Sequence, residues 1–367
     1  MPSDLKAEIL SDVRELAALD AVSGFEDCMI AEMMRRLSPL SDSCQVDTWG
    51  NVHATLEGHG DGYHLLLAAH ADEIGLLVKS IEADGFLRFD VLAGAQPALL
   101  PGRLVRLNGT VTGVIGVKAG HLQTAEERSR LPRPDELYID VGARSAAEVA
   151  ALGIQVGDPV AFYSPLVQLG HPDVWAGKAV DDRLGCAVLL ALLRRLRSVE
   201  HRTCITVAIT TQEEVGARGA AIAARVASPD CAVAIDTVPV GDTPDISFER
   251  ELPIAIGRGP VLLVANSTGP LGNIAHPAMR RLLERAAGKA GIPFQRAIIL
   301  ASGAFTDAAA IQRAERGIPS GGISLPRRYS HSPVCTFDLN DAAAAVLWLE
   351  ALVGLLDEKP SLAFLQS

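Results

Sequence analysis

Two adjacent carboxylates, Glu213 and Glu214, stand between an apolar, β-branched run from Cys204 to Thr211 and an alanine-rich helical pattern from Val215 to Val226. In an open α/β sheet, ligands bind in the crevice beyond the carboxyl ends of the strands, so a strand-to-helix junction is a place for chemistry. A solvated glutamate pair that suits the dipole of the following helix is the plainer reading. Adjacent residues do not face the same way, however, and the doublet can divide two roles, one carboxylate holding a metal and the other handling a proton.

Four further places share this context, each just past an apolar segment or at a loop-to-helix junction: His70 with Asp72, Asp181 with Asp182, Asp236, and His331. Two imidazoles and three carboxylates, one of them shared, make two sites of nitrogen and oxygen ligands. That donor set suits Zn²⁺ or Co²⁺ better than Ca²⁺ or Mg²⁺, which prefer oxygen shells. Two such ions roughly 3.5 to 4 Å apart hold a bridging water, lower its pKa and polarise a carbonyl oxygen. A carboxylate that touches this water but not the metals is the natural proton carrier. His53, His59, His64, His121, His171, His201 and His276 lack such surroundings and read as structural.

The elements that must position these residues are legible in outline. Ser3-Asp4 opens an amphipathic helix with Leu5, Ile9, Val13 and Leu16 on one face, and Met29 to Leu37 begins a second. Cys44 to Thr48 and Val52 to Leu56 read as strands about a turn at Trp49-Gly50-Asn51, and His64 to Ala69 as a buried strand running into His70. From about Gly75 to Pro165 the pattern changes to short β-branched runs with frequent glycine. Leu76 to Ile81 and Phe86 to Val91 read as a hairpin, and Leu104 to Leu107, Val111 to Val117, Leu137 to Val141 and Pro159 to Phe162 as further strands. Gln123 to Pro134, rich in Arg, Glu and Pro, reads as a mobile surface loop. Beyond Pro165 the alternation of strand and helix resumes: a helix from Arg183 to Leu196, strands at Cys231 to Ile235, Val261 to Ala265 and Gly321 to Leu325, helices at Pro277 to Ala290 and Phe305 to Gln312, and a closing amphipathic helix from Leu339 to Leu356. This is an α/β fold with a mixed, largely parallel sheet between helices. Its catalytic part is residues 1–72 and 165–367, and a β-rich unit, residues 73–164, is inserted.

With 367 residues the chain is long for one core, and its net charge of −11 argues against nucleic acid and anionic membranes. Cysteines at 28, 44, 186, 204, 231 and 335 form no C-x-x-C pair and read as small core residues of a reducing cytoplasm. Met1 to Leu10 lacks the order of a signal peptide, and no window is expected to reach a membrane span.

In the order and spacing of Ala69-His70-Ala71-Asp72-Glu73-Ile74-Gly75, Gly177-Lys178-Ala179-Val180-Asp181-Asp182-Arg183, Gln212-Glu213-Glu214-Val215-Gly216, Ala234-Ile235-Asp236, Thr306-Asp307 and Arg328-Tyr329-Ser330-His331-Ser332-Pro333, the chain resembles the M42 family of dinuclear metallo-aminopeptidases, the glutamyl and tetrahedral aminopeptidase group. The resemblance implies one metal on His70 and Asp236, another on Glu214 and His331, and Asp181 bridging both. It also implies Glu213 as general base and later acid, Asp72 hydrogen-bonded to His70 and fixing its tautomer, and Asp182 as a support. Two divalent ions per chain, Zn²⁺ or Co²⁺ with Mn²⁺ as a further candidate, go with it. So do a small β-barrel, PDZ-like insertion used for dimerisation and a hollow dodecamer of this chain. Three positions depart from the family pattern: Ala71 in place of Met, Phe305 before Thr306-Asp307 where Gly is common, and Cys335 where an acidic residue is usual. None is an implied ligand, and they bear on specificity and assembly.

The function this implies is a cytoplasmic aminopeptidase acting on peptides with a free N-terminus. An N-deacylase would use the same metals and another pocket. A glycosidase needs its carboxylates on opposite sides of the bond, roughly 5 to 9.5 Å apart, which an adjacent pair suits poorly. A peptide-binding scaffold on an inactive fold would show a missing ligand, and none is missing.

Overall fold

The computed structural model describes residues 1–300 and 305–365. Helices α1 (Ser3–Ala17) and α2 (Asp27–Leu37) precede strands β1 (Ser43–Val46), β2 (Val52–Leu56) and β3 (His64–His70). Six strands follow: β4 (Gly75–Ile81), β5 (Leu87–Leu92), β6 (Leu104–Leu107), β7 (Val111–Gly116), β8 (Tyr138–Asp140) and β9 (Pro159–Phe162), with helices α3 (Ala125–Arg128) and α4 (Ala146–Ala151) in their connections. The chain continues through β10 (Val167–Gln168), β11 (Val174–Gly177), α5 (Val180–Leu196), β12 (Cys204–Thr210), α6 (Arg218–Ala227), β13 (Cys231–Pro239) and β14 (Val261–Asn266). It ends with β15 (Asn273–Ile274), α7 (Pro277–Ala290), β16 (Gln295–Ile299), α8 (Asp307–Ile311), β17 (Ser320–Arg328), β18 (Cys335–Asp338) and α9 (Leu339–Leu356).

The large sheet runs β1-β2-β12-β3-β13-β17-β18-β11-β10, with β14 joined to β17 and carrying β15 and β16. Its centre, β12-β3-β13-β17, is parallel, and the remaining pairings are antiparallel except that of β14 with β16, which is parallel. The fully apolar interior of β3 explains its central place. Leu65, Leu67 and Ala69 join the core formed with α5, whereas Leu66 and Ala68 join the alanine-rich core of α6 and α8 on the opposite face, as strand alternation requires.

Strands β4-β5-β8-β7-β6-β9 close into an antiparallel barrel around Leu76, Leu87, Val105, Ile115, Ile139 and Val160. Arg106 of β6 ties it to the rest by an ion pair with Asp20. Residues Gln123 to Pro134 are not featureless: they contain α3, whose start is fixed by a reciprocal capping pair between Thr124 and Glu127.

Three readings of the sequence change. Helix α6 starts at Arg218 rather than Val215, because Gly216 (φ 122°) and Ala217 (φ 49°) form a left-handed turn first. Strand β13 runs on to Pro239, so Asp236 lies within a strand rather than past its end. Finally, α9 is not amphipathic. It is long and apolar enough to span a membrane by length and composition, against expectation, yet 72% of it is buried within the fold, against α7, α5, α1 and β17. It is the core helix of this layer.

Candidate active site

Parallel register aligns the strand ends that carry the predicted residues. His70 of β3 pairs with Thr210 of β12, and Ala68 of β3 with Ala234 of β13. His70 therefore stands level with the last residue of β12, the Glu213-Glu214 doublet follows just beyond, and Asp236 lies two residues past the last position at which β13 pairs with β3, still paired with Ser324 of β17. Asp181 arrives in the first turn of α5, and His331 from the connection between β17 and β18, where its own φ is 54°.

The structure brings all seven sequence-predicted residues together. His70 Nε2 lies 3.3 Å from Asp181 Oδ1 and 3.9 Å from Asp236 Oδ1. His331 Nε2 lies 3.4 Å from Glu214 Oε2 and 3.7 Å from Asp181 Oδ2. Among the described residues, only two groups of three or more His, Cys, Asp and Glu bring ligand atoms within 4.8 Å of one another: His70, Asp181 and Asp236, and Asp181, Glu214 and His331. Asp181 belongs to both. They open on a cavity of about 400 Å³ whose walls include Gly94, Gln96, Phe305 and Ser330. A roomier cleft between Asp20 and Arg106 contains no such group.

Asp72, fully buried, does more than face His70. Its Oδ1 accepts the backbone N–H of Glu213 at 2.9 Å, and its Oδ2 accepts that of Glu214 at 3.1 Å and the Ser23 hydroxyl at 2.6 Å. The His70 Nδ1–H donates to the Asp72 backbone carbonyl at 3.1 Å, with Asp72 Oδ1 3.4 Å away. That contact fixes the tautomer and leaves Nε2 facing Asp181 and Asp236. Asp182 is turned away from the cavity, its Oδ1 accepting the Gly185 N–H at 3.0 Å inside α5.

Electrostatics show a cluster short of positive charge. Burial pushes the Glu213, Glu214 and Asp236 carboxyls well above their ordinary values; Asp181 pushes Glu214 and Asp236 further, and Asp236 pushes Glu213. Burial would raise Asp181 as well, but Arg327 and His70 hold it well below the usual carboxylate range. Burial opposes a proton on His70, yet its contacts with Asp181 and Asp72 raise it well above the ordinary imidazole value. Burial lowers His331, with Asp181 opposing. Glu213 Oε1 and Glu214 Oε1 are buried and have no hydrogen-bond partner among the described residues. Acceptor oxygens of this kind, converging with two imidazoles, fit a divalent cation of the nitrogen-and-oxygen-binding class.

Sequence reasoning gave no role to three contributors, although Asp307 stands in the quoted Thr306-Asp307 pair. Thr237 Oγ1 donates to Asp181 Oδ1 at 2.8 Å. Arg327, buried, donates to Asp181 Oδ2 and to Thr237. Asp307, buried at the start of α8, accepts from the Thr210 hydroxyl, and burial pushes it up to about 6. The signal for Arg327 was a basic residue closing a buried strand, one step before the Arg328-Tyr329-Ser330-His331 run. The three departures also have places: Ala71 is buried, its N–H donating to Thr210; Phe305 lines the cavity; and Cys335 lies against Arg327.

Residues 50–347 match the family model described as M42 glutamyl aminopeptidase. The chain belongs to this family. It is therefore an aminopeptidase, a hydrolase, and the mixed sheet with its closed barrel is the M42 fold. The aminopeptidase APDkam598 of the archaeon Desulfurococcus kamchatkensis is 36% identical, covers 95% of both chains and superposes with a TM-score of 0.89. The glutamyl aminopeptidase of Lactococcus lactis is 30% identical over 95% of this chain and 97% of its own. The TET1 peptidase of Pyrococcus horikoshii, which can assemble into a tetrahedron or a large octahedral shell, is 30% identical over 94% of this chain and 99% of its own, with a TM-score of 0.81.

The other histidines of this M42 chain have structural partners where they are buried. His53 pairs with Asp47 at 3.0 Å, His201 Nδ1–H donates to the Thr203 carbonyl at 2.7 Å, and His276 caps α7.

Proposed function

We propose that this M42 aminopeptidase is a dinuclear metal-dependent enzyme that removes N-terminal residues from peptides. The observation that carries the reading is the Asp181 carboxylate, whose two oxygens face two separate ligand groups, His70 with Asp236 and Glu214 with His331. These residues would hold two divalent ions, Zn²⁺ or Co²⁺, with Mn²⁺ as a further candidate. When bound, such ions polarise the scissile carbonyl and acidify a water. Glu213, buried beside both groups and belonging to neither, would take a proton from the attacking water and return it to the leaving amine. Asp72 holds His70 in one tautomer and fixes the backbone of the glutamate doublet.

In this reading residues 1–72 and 165–367 form the catalytic part and residues 73–164 an inserted unit for self-association. Small β units present edges that a partner covers, and the shells of the related TET1 peptidase support a homo-oligomer in the cytoplasm, in which dimers assemble into a dodecamer.

The test is metal-stripped protein reloaded with Zn²⁺, Co²⁺ or Mn²⁺ and offered free and N-acetylated aminoacyl substrates. Cleavage is expected only of substrates with a free amine and only after reloading. Preference for the acetylated series would make the protein a deacylase, and inactivity with every metal would make it a scaffold.

A further inference from the structure

Arg327 and Arg328 end β17 side by side, and strand geometry sends them to opposite faces. Arg328 turns outward to Asp242, at 2.7 Å. Arg327 turns inward, 4% exposed, and each of its guanidinium nitrogens has a partner inside the site. Nη2 donates to Asp181 Oδ2, Nε to Thr237 Oγ1, and Nη1 to Cys335 Sγ at 3.5 Å. The two oxygens of Asp181 are thereby treated differently. Oδ1, on the His70 side, accepts from the neutral Thr237 hydroxyl, whereas Oδ2, on the His331 side, accepts from a permanent cation.

We infer that Arg327 is a resident counter-charge that competes with the His331-side cation for Asp181 Oδ2. The two metal positions then fill unequally, the His70–Asp236 side first, and the metal-free cluster keeps its shape on Arg327. The inference rests on the dinuclear reading above. Its physical basis is direct. A guanidinium does not lose its proton, so a divalent ion sharing the same carboxylate must bind against a fixed positive charge at short range in a buried site. In the metal-free state that charge offsets part of the repulsion among Asp181, Glu213, Glu214 and Asp236. A residue that merely oriented Asp181 would act with the opposite sign, because its loss would loosen the carboxylate and weaken metal binding.

The experiment is a calorimetric Zn²⁺ titration of the metal-stripped full chain, with a competing chelator for the tighter step. It compares the wild type with Arg327→Met, Arg327→Gln and Arg327→Lys, alongside melting with and without Zn²⁺. Arg327→Met and Arg327→Gln should tighten the weaker step by about tenfold or more and leave the tighter step within about threefold, while Arg327→Lys stays near wild type because it keeps the charge. Metal-free melting should fall further in the two neutral variants than Zn²⁺-loaded melting does. Neutral variants that fold only with Zn²⁺ would be the extreme form of that result. A weaker step that is unchanged or loosened in both neutral variants, or tightened equally in Arg327→Lys, would overturn the inference while leaving the metal centre standing. A wild type that bound no Zn²⁺ would remove the metal centre itself, and this inference with it.

Discussion

Asp72 Oδ1 accepts the backbone N–H of Glu213 at 2.9 Å. With its other oxygen on the Glu214 N–H, one buried carboxylate sets the position of both glutamates, and its backbone carbonyl aligns His70 from the other side. Replacing Asp72 by Asn keeps the size but puts an NH₂ group where an acceptor is needed. One of the two glutamate N–H groups then faces a donor. We expect Asp72→Asn to lower metal affinity and kcat by roughly ten- to a hundredfold, the usual effect of removing a group that orients metal ligands. Metal titration and steady-state kinetics check it; unchanged affinity and rate would leave Asp72 a packing residue.

Gly94, in the barrel connection after β5, lines the same cavity. Its φ is 75°, and a Cβ built there would stand 2.9 Å from His331 Nδ1. Gly94→Ala is therefore expected to displace His331 and weaken the His331-side metal position roughly tenfold. Its cost in stability should be about 1–2 kcal/mol from the left-handed backbone. Zn²⁺ titration beside a thermal melt separates the two effects, and an unchanged titration with a lowered melt would confine Gly94 to the barrel.

Much of this arrangement was legible in the sequence because it follows from period and position. Apolar β-branched runs locate β3 and β12, and polar residues directly after them lie at the crevice. Asp236 escaped part of that logic: β13 outlasts its neighbour β3, so its chemistry sits within a strand. Arg327 escaped it entirely, since periodicity places a strand but does not say that a long cationic side chain will be turned into a buried cluster. Helix α9 was misread because a helix buried among α7, α5, α1 and the sheet has apolar residues on nearly every side, leaving little polar face to detect. The short strands β11 and β18 carry too few residues for alternation to show.

Lys178 and Glu73 belong to two of the sequence runs and are absent from the cluster; the structure gives them a different place. Lys178 Nζ donates to Glu73 Oε1 at 2.8 Å and to the Leu19 carbonyl at 2.8 Å, with both side chains buried and Arg183 also on Glu73. Lys178→Met removes one of the two cationic partners of buried Glu73, leaving Arg183, and is expected to destabilise the fold by about 1–3 kcal/mol. Lys79→Met, in an exposed pair with Asp90, should cost under about 1 kcal/mol. Denaturant unfolding of the two variants checks the contrast; equal costs would mean that the buried pair is not a structural tie.

The last prediction separates the two glutamates. Glu214 Oε2 faces His331 at 3.4 Å, whereas Glu213 is buried outside both ligand groups, with its Oε1 lacking a partner among the described residues. Glu214→Gln should therefore weaken the His331-side metal position, and added metal should restore part of the activity. Glu213→Gln should keep both ions and lose the proton relay, a contribution of roughly 10²- to 10⁴-fold. Glutamine is nearly isosteric, so packing changes little. The loss in Glu213→Gln should fall chiefly on kcat, because a proton carrier acts in the transition state rather than in ground-state binding. Metal content and kinetics measured on both variants decide the matter: a Glu213→Gln protein that has lost an ion, beside a fully loaded and inactive Glu214→Gln protein, would reverse the two roles.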